Sequence, residues 1–162
     1  MRALLRLLIL SAALVVAAAP GDARAQDSSY IKIPNEDPEM AAAKAKARAN
    51  LAKFWKAFES PGPDERGFEL KVALPYGRNS TEHIWTKDIE RRDGKISGVI
   101  NNVPRDVKTV RLGQRIEIRD EQISDWTFRR GGKIVGNETM RPLLKRMPPP
   151  DAERYRGMLA DE

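Results

Sequence analysis

Residues 82–101 read EHIWTKDIERRDGKISGVIN, and this stretch decides the fold. Asp93-Gly94 is a strong two-residue hairpin turn, and it stands between two runs that carry Ile, Val, Thr and Trp. The reading is a strand from Glu82 to Arg92, a tight reversal, and a returning strand from Lys95 to Asn101.

Working outward, the strand pattern repeats on both sides. Phe68, Leu70, Val72 and Leu74 alternate with Glu69, Lys71 and Ala73, which predicts a half-buried strand ending at Pro75. Residues 76–81 form a polar loop before the hairpin, and residues 102–108, with Pro104, form another after it. Beyond Gly113, Ile116 and Ile118 point inward while Arg115, Glu117 and Arg119 point outward, a fourth strand. Residues 120–122 bend the chain. Residues 123–130 make a fifth strand, which Gly131-Gly132 turns into a sixth over 133–137.

Helices flank the strands. Asp37-Pro38-Glu39 is a helix start: Asp37 accepts from free amides, Pro38 suits the first helical position, and Glu39 favours the positive end. Met40, Ala43, Ala47, Leu51, Phe54 and Phe58 then recur at spacings of three and four, with Lys44, Lys46, Arg48, Lys53 and Lys56 off the stripe. Ser60-Pro61-Gly62-Pro63 ends that helix. Residues 139–147 predict a short basic helix or turn, broken by the prolines at 148–150, and residues 151–159 a final helix capped by Asp151. The sum is an α+β fold: an N-terminal amphipathic helix on a curved antiparallel sheet or small barrel of about six short strands, with short C-terminal helices. The pattern leaves barrel and open sheet undecided.

Residues 91–98 (RRDGKISG) and 129–136 (RRGGKIVG) look like a repeat offset by 38 residues. At that offset Trp85 falls on Ile123, Ile89 on Thr127, Asp88 on Trp126 and Ile100 on Glu138. A duplication carries its core along with its turns, so the resemblance reads as two hairpins with similar turn chemistry.

The first 25 residues read as a secretory leader. Arg2 and Arg6 form the basic start, residues 7–19 (LLILSAALVVAAA) the apolar stretch, and Ala23-Arg24-Ala25 the cleavage site before Gln26. The 13-residue apolar run is short of the roughly 20 needed to span a membrane, so no stable membrane anchor is expected after cleavage. The expected organisation is a leader (1–25), an extended lead-in (26–36) and one domain (37–160), in a periplasmic or secreted protein. Without Arg2, Arg6, Arg24 and Asp22, the 29 basic and 23 acidic residues become 26 and 22, and the balance drops from +6 to +4. Signs so interspersed give solubility without demanding a polyanion, and with no basic stripe or aromatic RNA signature no nucleic-acid partner is expected. The chain has no cysteine, which excludes disulfides, thiolate metal sites, thiol nucleophiles and a lipidated cysteine.

Candidate functional residues are few. His83 is the only histidine; it shares a strand face with Trp85 while Asp88 lies opposite, and no Gly-x-Ser-x-Gly elbow exists to supply a nucleophile. Asp88 and Glu90 on a regular strand would stand about 7 Å apart, a spacing compatible with acid–base glycan hydrolysis, against the plainer reading of surface ion pairs with Arg92 and Lys95. Asp120, Glu121 and Asp125 are further carboxylates. Trp55 reads as core. Trp85 and Trp126 read as core residues or, if exposed together, as a platform for a sugar ring or a peptide. Arg91, Arg92, Lys95, Arg129, Arg130 and Lys133 surround the two hairpin tips, where they serve as solvated gatekeepers or, if the tips adjoin, as a basic patch that Arg141, Lys145 and Arg146 would extend. The candidate binding residues are therefore Trp85, Asp88, Asp125, Trp126, Arg92 and Arg130. No catalytic residue, metal or cofactor is expected.

Several segments occur in a telling order: Asp37-Pro38-Glu39-Met40, Phe54-Trp55-Lys56-Ala57-Phe58, Glu82-His83-Ile84-Trp85, Asp88-Ile89 and Lys95-Ile96-Ser97-Gly98. Gly113-Gln114, Ile123-Ser124-Asp125-Trp126, residues 132–137 (GKIVGN) and residues 141–148 (RPLLKRMP) follow. Together they resemble the YegJ-like bacterial domain of unknown function across residues 37–159. The resemblance implies a small bacterial protein, sometimes exported, and carries no established reaction, cofactor or catalytic residue. Gly131-Gly132, in place of Asp-Gly or Asn-Gly, and Glu138, in place of an aromatic, depart from that pattern. The expectation is a non-enzymatic module that binds an envelope component or protein partner, with an envelope glycan hydrolase using paired carboxylates as the alternative.

Overall fold

The computed structural model describes residues 37–161; the leader (1–25) and the lead-in (26–36) lie outside the described residues. The first helical segment is two helices, α1 (Pro38–Ala49) and α2 (Leu51–Glu59). The start is as expected: the Asp37 carboxylate accepts from the Met40 amide at 2.8 Å, and Pro38 takes the first position. The break falls at Asn50, whose side-chain amide donates to the Lys46 carbonyl at 3.0 Å. Asparagine competes with the backbone for its own hydrogen bonds, and here that competition interrupts a stripe that looked continuous.

Six strands follow: β1 (Glu65–Tyr76), β2 (Ser80–Arg92), β3 (Lys95–Ile100), β4 (Arg115–Ile118), β5 (Ile123–Arg130) and β6 (Lys133–Gly136). They form one antiparallel sheet in the order β4-β3-β2-β1-β5-β6, not closed into a barrel. α3 (Met140–Leu144) and α4 (Pro149–Met158) complete the chain. Asp151 does not cap α4: Pro149 and Pro150 already lie inside the helix, which puts Asp151 in the first turn. Beside β6, Leu159 makes a parallel bridge with Ile134, and the Ala160 amide donates to the Ile134 carbonyl at 2.8 Å. Among the described residues no helix is long and apolar enough to cross a membrane.

Cross-strand partners share a sheet face, so the pairings define the two sides. Leu70 pairs with Thr86 and Trp126, and Val72 with Ile84 and Ile123. These side chains are all buried and form the inner face. α2 lays Phe54, Trp55 and Phe58 over it. The Phe54 ring lies 5.0 Å from Trp55, 5.8 Å from Phe68 and 5.9 Å from Trp126, and Phe68 stacks on Phe128 at 5.1 Å. The Trp126 indole N–H donates to the Ala47 carbonyl of α1 at 2.8 Å, so the largest core residue also satisfies its one polar atom.

Strict alternation fails at one place in β2. The β2–β3 register shifts between Lys87 and Glu90, and Asp88 has φ +48°. This bulge changes the phase: Ile84 and Thr86 face inward before it, Ile89 after it. Gly98 of β3 makes room for the change, since a Cβ there would lie 2.9 Å from Ile89 Cδ1 and 3.0 Å from the Thr86 side chain.

The two similar hairpins share turn geometry and little else. Asp93-Gly94 and Gly131-Gly132 both have positive φ at both positions, which fits the tight reversal each must make. Their following glycines do different work. Gly98 has ordinary backbone geometry, whereas Gly136 has φ +76° and sits where a Cβ would come within 2.5 Å of the Trp126 carbonyl oxygen and 2.6 Å of its indole. Gly136→Ala is expected to destabilise the fold by on the order of 2–4 kcal/mol, because backbone strain adds to a clash with fixed atoms. Gly132→Ala, with φ +81° but open space around it, should cost about 1 kcal/mol. Urea unfolding of the two variants beside the parent checks both values.

Candidate functional site

The outer face of the sheet carries the most unusual chemistry among the described residues. Lys71 of β1 pairs with Trp85 of β2 on one side and Asp125 of β5 on the other. Its ammonium lies 5.1 Å from the Trp85 ring centre and donates to Thr139 Oγ1 at 2.9 Å. The Thr139 hydroxyl donates in turn to Asp125 Oδ2 at 2.6 Å. Burial pushes the Lys71 amine below the usual lysine range; Asp125 opposes that shift and Lys44 adds to it.

Asp125 is fully buried. Besides the Thr139 hydroxyl, it accepts from the amides of Trp126 at 2.8 Å, Glu138 at 3.2 Å and Thr139 at 2.8 Å. A carboxylate with four donors is stable in a low-dielectric site and has no spare capacity to act as a base. Next to it Glu138, also buried, is bridged by Lys46 of α1 at 3.1 Å and by Arg141 of α3 at 3.3 Å.

His83 Nδ1 lies 2.8 Å from Ser124 Oγ, and that oxygen is 3.0 Å from the Lys71 carbonyl. A carbonyl only accepts, so the serine proton goes to Lys71 and the histidine proton sits on Nδ1, donating to the serine. That polarity is the reverse of a base activating a nucleophile. Ser124 is also fully buried. Burial, followed by Lys44, Lys71 and Arg48, lowers the His83 pKa to about 4.

The other sequence candidates are dispersed. Trp126 pairs with Leu70 on the inner face and is 1% exposed, whereas Trp85 is half-buried on the outer face. The two tryptophans therefore form no joint platform, because neighbouring positions on β1, Leu70 and Lys71, direct their partners to opposite sides. Trp55 is core, as expected. The regular spacing assumed for Asp88 and Glu90 is lost at the bulge. Glu90 pairs with Arg115 at 3.3 Å, not with Arg92 or Lys95, and the same arginine donates to the Asp88 carbonyl at 3.0 Å.

Arg92 and Arg130 end β2 and β5 at the same end of the sheet, with β1 between them. Arg130 is bound to Glu65 at 2.7 Å, and Arg91 to Glu59 at 2.8 Å while its guanidinium stacks 4.5 Å from Trp55. Acidic side chains thus hold two of the six basic residues at the tips, Arg91 and Arg130. Arg141, Lys145 and Arg146 do not extend one either: they bind Glu138, Glu39 and Asp37. Lys71, Ser124 and Thr139 escaped sequence reasoning. Lys71 reads as an ordinary outward residue of an alternating strand, and the other two gain meaning only when β1, β5 and the chain after β6 meet.

A search of solved structures gives no match. Among family models, one described as "Uncharacterized protein conserved in bacteria (DUF2314)" matches residues 37–159. The chain belongs to this family. It is 38% identical to the Escherichia coli (strain K12) protein named "Uncharacterized protein YegJ" over 114 residues, 70% of this chain and 72% of that protein. It is also 33% identical over 66 residues to a Neisseria meningitidis serogroup B protein provisionally named an ankyrin repeat protein, 41% of this chain and 26% of that one. The family span coincides with the folded elements from the Asp37 cap to Leu159, and so takes in every residue of the Lys71 cluster.

Two measurements follow. His83 titrates near 4 when folded and near 6.5 when unfolded, so its contribution is complete above about pH 6.5 and is lost as the pH falls towards 4. His83→Gln should remove up to about 3 kcal/mol of that pH dependence, read as the difference between the urea-midpoint profiles of variant and parent. Asp125→Ala should destabilise the fold by about 3–5 kcal/mol at any pH where Lys71 is charged, because it orphans buried donors and a buried cation; thermal unfolding checks it.

Proposed function

We propose that the protein is an exported, non-enzymatic binding module of the bacterial envelope, and that it engages a protein partner or other envelope component through the outer face of its sheet around Trp85. The observation that carries this reading is the state of the tryptophans. Trp55 and Trp126 are committed to the core, while Trp85 is half-buried on the outer face beside the Lys71 ammonium. An indole with one side fixed by a cation and another open to solvent offers a rigid, amphipathic contact at little entropic cost. Glu69, whose carboxyl burial holds above its usual range, and Asn101, 2.9 Å from it, add polar groups nearby.

The leader-like residues 1–25 support export, and the missing cysteines are compatible with life in an oxidising compartment. The paired-carboxylate hydrolase draws less support, since Glu90 is held by Arg115 and Asp88 occupies a bulge. A serine–histidine mechanism draws none, given the polarity of the Ser124 hydrogen bond.

The test uses the full chain in a bacterial host. Cell fractionation should place it outside the cytoplasm, with Gln26 as the mature N-terminus. A photo-crosslinking residue at Lys87, exposed two positions from Trp85 on the same strand, should give a discrete adduct that Trp85→Ala abolishes and Trp85→Phe weakens. A cytoplasmic, unprocessed chain overturns the export half. An adduct indifferent to Trp85, or none at all, overturns the binding half.

A further inference from the structure

The loop between β3 and β4 forms a surface that the Trp85 face does not include. Its neck is closed by the Ile100 amide donating to the Gln114 carbonyl and the Gly113 amide donating to the Ile100 carbonyl, both at 2.9 Å. Its first half is fastened along β2. The Asn101 amide donates to the Trp85 carbonyl at 2.8 Å, and Asn102 Oδ1 accepts from the Trp85 amide at 2.8 Å. The Glu82 carboxylate then collects the successive amides of Arg105, Asp106 and Val107 at 2.8, 3.0 and 2.9 Å. Val107 is buried under this clasp. The loop is thus a compact, internally tied Ω-type excursion.

What this fixed scaffold holds outward is peculiar. Val103 is 67% exposed and Leu112 54% exposed, the exposed large apolar side chains of the described residues. Arg105, Lys108 and Arg111 are exposed on the same loop, against one acid, Asp106. Lys108 donates to the Arg105 carbonyl, and neither Lys108 nor Arg111 has an ion pair among the described residues. Arg91 and Arg130 at the hairpin tips, and Arg141, Lys145 and Arg146, contrast with this, being tied to carboxylates.

We infer that this loop docks the protein on an anionic lipid surface, with Val103 and Leu112 entering the headgroup boundary and Arg105, Lys108 and Arg111 meeting lipid phosphates. Aliphatic tips among cations are the combination that an interface between water and hydrocarbon rewards. A soluble polyanion would use the cations and leave the aliphatic side chains wet. A protein hot spot is commonly built on aromatic anchors in recessed pockets; the loop has no aromatic residue. Two short aliphatic chains are too little for permanent attachment, so docking is reversible and needs both the apolar and the cationic parts.

The experiment is vesicle co-sedimentation of the soluble form of the chain recovered from cells expressing the full sequence, its N-terminus sequenced. Vesicles of phosphatidylethanolamine with phosphatidylglycerol should retain it at low salt, phosphatidylcholine vesicles should not, and high salt should release it. Lys108→Glu with Arg111→Glu should weaken binding at least about tenfold, and Val103→Ser with Leu112→Ser several-fold. Lys53→Glu with Lys56→Glu, on the exposed side of α2, imposes the same change in net charge and should leave binding within about twofold of the parent. Unchanged thermal melts establish that the variants fold. Equal loss in the α2 variant means adsorption by overall charge and overturns the inference. So do equal retention on phosphatidylcholine, no retention on anionic vesicles, and a serine pair that binds like the parent. Binding of the loop to a soluble protein in place of vesicles would overturn it in favour of a protein surface.

Discussion

The Asp125 carboxylate is the constraint on which the rest of this structure depends. It is a charge with no access to water, and it persists because three backbone amides and one hydroxyl converge on it while Lys71 supplies the compensating cation through Thr139. Those donors come from β5 and from the segment just past β6. The carboxylate therefore fixes where the chain turns after the last strand. That in turn places Glu138 between Lys46 of α1 and Arg141 of α3, which joins the N-terminal helix to the C-terminal half. Trp126, next in sequence, points the other way and seals the opposite face against α1 and α2. One strand position thus organises the polar layer, and its neighbour organises the core.

Much of the architecture was legible because it rests on local signals. The Asp37-Pro38 start, the glycine turns and the alternation of β1 and β4 each act over a few residues, and each held. The failures share a cause. Asn50 interrupts a helix whose apolar periodicity runs on unbroken, and Asp88 inserts a residue into a strand whose composition gives no warning. Closure of the sheet was undecidable, since whether β4 and β6 meet depends on twist accumulated over six strands.

The candidate site was less legible still. Asp125 was singled out as a carboxylate among several, without any sign that it would be the buried one, because its four donors lie at positions 126, 138 and 139. Trp85 and Trp126 looked equivalent by composition. They were separated only by the pairing of adjacent β1 residues with opposite sides of the sheet. A lysine between Leu70 and Val72 is the commonest of patterns, and nothing local marks it as desolvated. Chemistry that depends on three strands meeting is written in the register, and the register is a property of the whole sheet.

The backbone of Leu159 and Ala160 lies along β6, so the strand that would otherwise end the sheet already has a neighbour. The opposite border, β4, is only four residues long and alternates Arg and Glu with Ile. An open sheet tempts other polypeptides to add themselves to its borders, and a protein without disulfides has no covalent brake on the resulting polymers. Here one border is occupied by the chain's own tail, and the other is too short and too charged to template a newcomer. Among the described residues the fold thus guards both borders of its sheet by pairing, shortness and charge, with no covalent brace.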